Sequence, residues 1–136
     1  MKQQSGTRQE LAELLNRPKT KYRNEPVVMN NIRFDSQLEA NRYAELYRME
    51  KAGLITGLTV HPRFSLEVNG VLICTFITDF SYQVVRDPIC TLIVEDVKAL
   101  DKRTKKHIST PVYKLKKKLM KAVHGILIKE WPESDG

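Results

Sequence analysis

Residues 76–100 read FITDFSYQVVRDPICTLIVEDVKAL. Two runs rich in β-branched and aromatic residues flank a polar break at Arg86, Asp87 and Pro88, and each run carries an acid, Asp79 in the first and Asp96 in the second, with Lys98 two residues further on. A hairpin centred between Asp87 and Pro88 places Asp79 opposite Asp96. Directly opposed residues share a face of the sheet, with Cβ atoms roughly 4.5–5.5 Å apart. Lys98 follows on that same face, and Glu95 and Val97 point the other way. The pairing depends on the turn, because a slip of one residue abolishes it. Opposed like charges destabilise a sheet, and three arrangements offset them. The two carboxyls can share a proton. Lys98 can complete a salt-bridged triad. A divalent cation such as Mg²⁺ can bind, taking hard oxygen ligands from a few carboxylates, and the backbone carbonyl of Val97 offers one more oxygen. A D-x-K triplet is common by chance, so spacing alone leaves the triad and the metal site both open.

The elements that must position these residues are legible along the chain. Thr7–Glu10 resembles a capping box ahead of Leu11, Leu14 and Leu15, which predicts a helix near 8–17 that stops at Pro18. Residues 18–26 read as a basic arm. Val27–Phe34 reads as a small hairpin turning at Asn30-Asn31. Ser36–Glu39 is a second capping box, and its helix runs to about Ala52 with Gly53 beyond. Glu39 is therefore either the acid of a capping box or, one turn before Tyr43, a residue at the border of the buried face. Asn69-Gly70 joins two long strands within residues 58–84, and Pro62 demotes the His61–Phe64 stretch to an edge or bulge. A third strand covers about 90–98. Thr110-Pro111 opens another helix with Val112, Leu115, Leu119 and Val123 as its buried row and Gly125 at its end, and Ile126–Trp131 forms a last strand. The expected class is α/β (α+β), in the order helix, three strands, helix, strand. The expected organisation is an N-terminal helix and arm over 1–26, one domain over 27–131, and a tail over 132–136.

Charge points to the partner. The 136 residues carry 23 Lys plus Arg against 16 Asp plus Glu, a net charge of +7. Such a balance fits a polyanion, nucleic acid before an anionic membrane. From Lys98 to Lys121 there are ten basic residues and a single acid, Asp101. Lys102, Arg103, Lys105 and Lys106 fall in a loop that reads as flexible. Lys114, Lys117, Lys118 and Lys121 fall on the helix side away from Val112 and Leu115. Tyr113 is the one aromatic there, so duplex or junction backbone recognition fits better than stacking of single strands. Cys74 and Cys90 lack a CxxC spacing and read as buried thiols of a reducing compartment. No run approaches the roughly 18 apolar residues of a spanning helix, and no signal-peptide stretch opens the chain, so a cytoplasmic protein is expected, with no membrane association. There is no zinc-type His/Cys spacing and no G-x-S-x-G. His61, beside Pro62 and Arg63, has two readings, a residue approaching the site or a solvated or hydrogen-bonded histidine; the second is the expectation for it and for His107 and His124.

The order Phe34-Asp-Ser-Gln-Leu-Glu39-Ala on a helix, Ile77-Thr-Asp79-Phe on a strand and Val94-Glu-Asp96-Val-Lys98 on the next resembles the PD-(D/E)XK nuclease superfamily. The likeness covers residues 27–131 and is greatest to a small phage-encoded branch, in the superfamily of Holliday-junction resolvases and transposon-end-cutting endonucleases. The Thr110–Met120 helix also resembles that branch. The resemblance implies a restriction-endonuclease-like αβββαβ core and a Mg²⁺- or Mn²⁺-dependent DNA endonuclease acting on duplex or branched DNA as a homodimer. It makes Asp79 and Asp96 metal ligands, Glu39 a ligand directly or through water, and Lys98 the catalytic lysine. Thr78 stands where the superfamily motif has proline. Rival expectations are a duplex-nicking or restriction-type enzyme and a catalytically silent DNA-binding adaptor.

Overall fold

The computed structural model describes residues 25–86 and 88–133. The sequence-predicted helix at 8–17, the arm up to Asn24 and the last three residues of the tail lie outside them. The chain divides into two compact units between Gln37 and Leu38. In the first, β1 (Val27–Met29) and β2 (Ile32–Phe34) form an antiparallel hairpin, turned by Asn30 and Asn31 at φ 53° and 63°. Asparagine tolerates this left-handed backbone better than most residues.

The second unit is α+β. Helix α1 (Gln37–Lys51) leads into β3 (Ile55–Val60), β4 (Arg63–Val68), β5 (Val71–Ile77), β6 (Phe80–Arg86) and β7 (Ile89–Val97). Helix α2 (Pro111–Leu119) continues through a π-helical turn (Met120–His124) to β8 (Lys129–Trp131). A mixed sheet has the order β3-β6-β7-β8, antiparallel except for the parallel β7/β8 pair, and β4-β5 forms a separate two-stranded sheet.

The two long strands expected within 58–84 are each broken, and the breaks coincide. His61, in the left-handed region at φ 56°, and Pro62 separate β3 from β4. Thr78 and Asp79 separate β5 from β6. The His61 amide donates to the Asp79 carbonyl at 2.9 Å, and the Thr78 amide donates to the Pro62 carbonyl at 3.2 Å. Two neighbouring strands thus leave the mixed sheet together and pair again outside it, which is how strands turn a corner between sheets. Pro62 has no amide to donate, so the ladder cannot run straight through it.

The mixed sheet has two covered faces. Under α1 lie Ala40, Tyr43, Leu46, Phe80 and Tyr82, all buried, with the Tyr43 and Phe80 rings stacked at 6.4 Å. Under α2, Val94, Met120 and Ile128 join Leu66 and Phe76 of the outer hairpin and the ring of Tyr113. Tyr113 meets Phe76 edge-on at 6.0 Å.

Three expectations are corrected. The buried row of α2 is Tyr113, Met120 and, partly, Leu119 and Val123, whereas Val112 and Leu115 are 61% and 57% exposed. The cause is polar: Tyr113 and Lys117, one turn apart, both donate to Glu130 of β8, which pins that side of the helix to the sheet. The loop at 101–109 is held rather than loose. The Asp101 carboxylate accepts from the Arg103 and Thr104 amides at 2.8 and 2.9 Å, and Leu100 bridges to His107. Both cysteines are free thiols: Cys74 of β5 is half-buried against the core, and Cys90 is exposed because the outer half of the β6–β7 hairpin extends past the packed core. Among the described residues no helix is long and apolar enough to cross a membrane.

Candidate metal centre and basic surface

β6 and β7 pair in one register, from Phe80↔Glu95 to Arg86↔Ile89. Continued one step, that register sets Asp79 against Asp96, and the Asp79 amide donates to the Glu95 carbonyl at 3.2 Å. The neighbouring ladders extend the row. Val60 pairs with Phe80, so His61 stands beside Asp79, and Asp96 pairs with Glu130 in the parallel ladder. His61, Asp79, Asp96 and Glu130 therefore mark one line across all four strands, at the level where the outer hairpin departs.

Asp79 is the centre of this line. Its Oδ2 accepts the Val97 amide at 2.7 Å, which fixes the carboxyl in place. Its pKa is pushed up to about 8, first by burial, then by the charges of Asp96 and Glu39, against the lowering effect of the Val97 hydrogen bond. Asp96 also lies within hydrogen-bonding reach of Asp79. Lys98 Nζ is 2.7 Å from Asp96 Oδ2, with both side chains largely buried. Two of the three ways of offsetting opposed acids, the shared proton and the salt bridge, are thus available together.

Glu39 comes from the first turn of α1. A carboxylate oxygen of Glu39, one of Asp79 and a ring nitrogen of His61 all lie within 4.8 Å of one another. These three side chains, with Asp96 beside Asp79, form a donor set that fits a divalent cation. The donors are mainly hard oxygens, and three carboxyl groups gathered in a partly buried place are costly to hold charged together. Of the predicted site residues, Glu39, Asp79, Asp96 and Lys98 are brought together. Val97 meets Asp79 through its amide.

Sequence reasoning missed the support around this centre. Glu130 accepts from the Tyr113 hydroxyl at 2.7 Å and from Lys117 Nζ at 3.0 Å, with His107 Nδ1 at 3.1 Å. Burial alone would raise the Glu130 carboxyl, but these hydrogen bonds and the Lys117 charge outweigh it and leave Glu130 below its ordinary range. The Tyr113 hydroxyl is raised by burial and by its bond to Glu130. The signal for Glu130 lies in the parallel β7/β8 register, which no turn specifies. On the α1 face, Glu95 is fully buried and accepts from Arg42 Nε at 2.8 Å, from Arg42 Nη2 at 2.7 Å and from the Tyr82 hydroxyl. The Arg42 guanidinium stacks 4.9 Å from the Trp131 ring. Glu95 thus faces away from Asp96 and Lys98, as strand parity requires.

The basic residues divide. Lys102, Arg103, Lys105 and Lys106 are exposed on the stapled loop, and Lys114, Lys118 and Lys121 on α2 and the turn after it. The last three line a groove of about 370 Å³ with Leu127, Ile128 and Glu130. Lys117 lines the same groove, with its ammonium engaged by Glu130 at 3.0 Å.

No curated protein matches this chain, and no solved structure does. A family model described as "Protein of unknown function (DUF1064)" matches residues 19–132, and the chain belongs to that family.

Proposed function

We propose that this protein is a Mg²⁺- or Mn²⁺-dependent DNA endonuclease of the PD-(D/E)XK type. The observation that carries the reading is the convergence of Glu39, from the first turn of α1, with Asp79, Asp96 and Lys98, which lie on the sheet face that also carries the basic helix. Glu39, Asp79 and Asp96 would hold the cation, which when bound supplies charge neutralisation at a phosphate and an acidified water. Lys98, held by Asp96, presents an ammonium that can donate to a phosphate oxygen or orient the attacking water. The reaction is hydrolysis: water adds to phosphorus and the ester oxygen departs with a proton. Lys114, Lys118, Lys121 and the 101–106 loop offer a surface for backbone phosphates, contacts that position without reading sequence. Branched DNA is the preferred substrate on this reading, and a homodimer supplies the two cuts that a junction needs.

A second reading rests on the 2.7 Å Lys98–Asp96 ion pair, which a catalytically silent DNA-binding protein would also keep. One experiment separates the two. Matched linear, nicked, flap and four-way DNA substrates are incubated with the protein, with and without Mg²⁺ or Mn²⁺. Metal-dependent cleavage that disappears in both Asp96→Asn and Lys98→Ala, with DNA binding retained, is the expected result. Binding without cleavage of any substrate leaves only the silent reading.

A further inference from the structure

We infer that His61 is a nitrogen ligand of the cation site, and that it tunes the site toward Mn²⁺ and the later transition metals over Mg²⁺. The inference rests on the metal-site reading and adds a donor that the D…D-x-K pattern does not contain.

Three observations carry it. The first is distance. The donor atoms of Glu39, His61 and Asp79 lie within 4.8 Å of one another. Two ligands on one ion with bonds of 2.0–2.1 Å sit at most about 4.2 Å apart, so small rotamer changes close the set. The second is origin. The three donors come from the first turn of α1 and from the two strand breaks, so the departure of the outer hairpin is what brings them together. The third is backbone. His61 holds φ 56°, a minority conformation for a residue with a side chain, and such residues recur where surrounding structure fixes a functional group. Here the fixing bonds are His61 N–H to Asp79 O and Thr78 N–H to Pro62 O. The imidazole itself is exposed, so core packing does not account for it.

The chemistry follows from donor type. A cage of carboxylates and water suits Mg²⁺, Ca²⁺ and Mn²⁺ alike, whereas an imidazole donor is accepted better by transition metals than by the hard Mg²⁺, and increasingly so from Mn²⁺ to the later ones. Asp79 stands between Asp96 on one side and Glu39 with His61 on the other.

The test uses the full chain, Mn²⁺ alone, and electron spin-echo modulation, which detects a directly bound ¹⁴N. The wild-type protein is expected to show imidazole nitrogen modulation. His61→Asn and His61→Gly, both compatible with the left-handed backbone, should lose it. Loss of a direct ligand should weaken Mn²⁺ by at least about tenfold, no less than is typical for loss of an outer partner, and Mg²⁺ much less. Bound Mn²⁺ with no nitrogen modulation in the wild type, or modulation persisting in both variants, overturns the inference. The enzyme reading fails separately. Nitrogen-bound Mn²⁺ with no cleavage of any DNA supports His61 and removes the nuclease, and cleavage with oxygen-only Mn²⁺ does the reverse. No Mn²⁺ binding overturns both.

Discussion

The ammonium of Lys98 lies 3.2 Å from the centroid of the Tyr113 ring. It is held on its other side by Asp96 at 2.7 Å. An aromatic face is attractive to a cation and cannot accept its proton, so the ring fixes the amine without neutralising it. Such contacts contribute about 0.5–2 kcal/mol.

The first prediction separates the ring from the hydroxyl. On the nuclease reading, Tyr113→Leu removes the ring and slows cleavage per folded molecule by roughly tenfold, the rate equivalent of about 1.4 kcal/mol. Tyr113→Phe keeps the ring and leaves the rate nearly unchanged. It gives up the bond to Glu130 and loses about 1.5–3 kcal/mol of stability, typical of a hydrogen bond to a charged group. Single-turnover rates and denaturant melts check the two effects independently. Equal rates for the leucine and phenylalanine variants would remove the ring from the account.

The second prediction concerns pH. Burial and the neighbouring carboxylates raise the folded pKa of Asp79 to about 8 from an ordinary value of 3.8. An acid raised in this way binds its proton more tightly folded than unfolded. Its contribution is fully present below the unfolded value and is lost as pH rises through the folded one. In EDTA, Tm should therefore fall between about pH 4 and pH 8 more steeply for the wild type than for Asp79→Asn. Parallel profiles would show that Asp79 is already ionised near neutrality. With cation present the sense reverses, because a ligating carboxylate must be deprotonated, and apparent Mn²⁺ affinity should climb with pH until about pH 8.

Glu95 adjoins Asp96 in sequence and has a different role. Glu95→Gln removes the buried anionic partner of the Arg42 guanidinium and leaves it only the half-exposed Glu45 carboxylate at 3.1 Å. The expected cost is about 3–5 kcal/mol, the usual range for breaking a buried pair. Cleavage per folded molecule should be retained, since Glu95 lies on the α1 face. Denaturant unfolding beside an activity assay decides it, and a stable but inactive Glu95→Gln would place Glu95 in the chemistry.

The basic surface predicts a salt effect. Replacing Lys114, Lys118 and Lys121 by alanine should weaken binding to all DNA alike. On duplex DNA the slope of log affinity against log salt should become shallower by about 0.9 for each phosphate that a lysine no longer neutralises. Lys117→Ala should change the slope less and stability more, because Lys117 is engaged by Glu130. Titrations in EDTA and circular dichroism supply both readouts. An unchanged slope in the triple variant moves the DNA path off this helix.

Local chemistry made much of this protein legible in the sequence. Asn69-Gly70 marks a tight turn, Thr110-Pro111 a helix start whose threonine hydroxyl accepts the Tyr113 amide, and Gly125 its left-handed end at φ 69°. The β6–β7 hairpin is the clearest case. Its two strands are joined by a short turn, so the turn sets the register, and strand parity then assigns Asp79, Asp96 and Lys98 to one face and Glu95 to the other.

Only tertiary structure decided the rest. No turn connects β7 to β8, so the pairing of Asp96 with Glu130 is set by the packing of α2 between them. The side of α2 that is buried could not be read from its apolar residues. Val112 and Leu115 have the right spacing, but Tyr113 buries a larger ring and, with Lys117, satisfies a half-buried carboxylate. His61 joins Glu39 and Asp79 because two strands break at the same level, which depends on long-range pairing rather than on any local run of residues. A sequence states which side chains can do chemistry and how each short segment folds. Which of them meet is determined by burial and hydrogen bonding summed over distant segments, and that sum exists only in the folded chain.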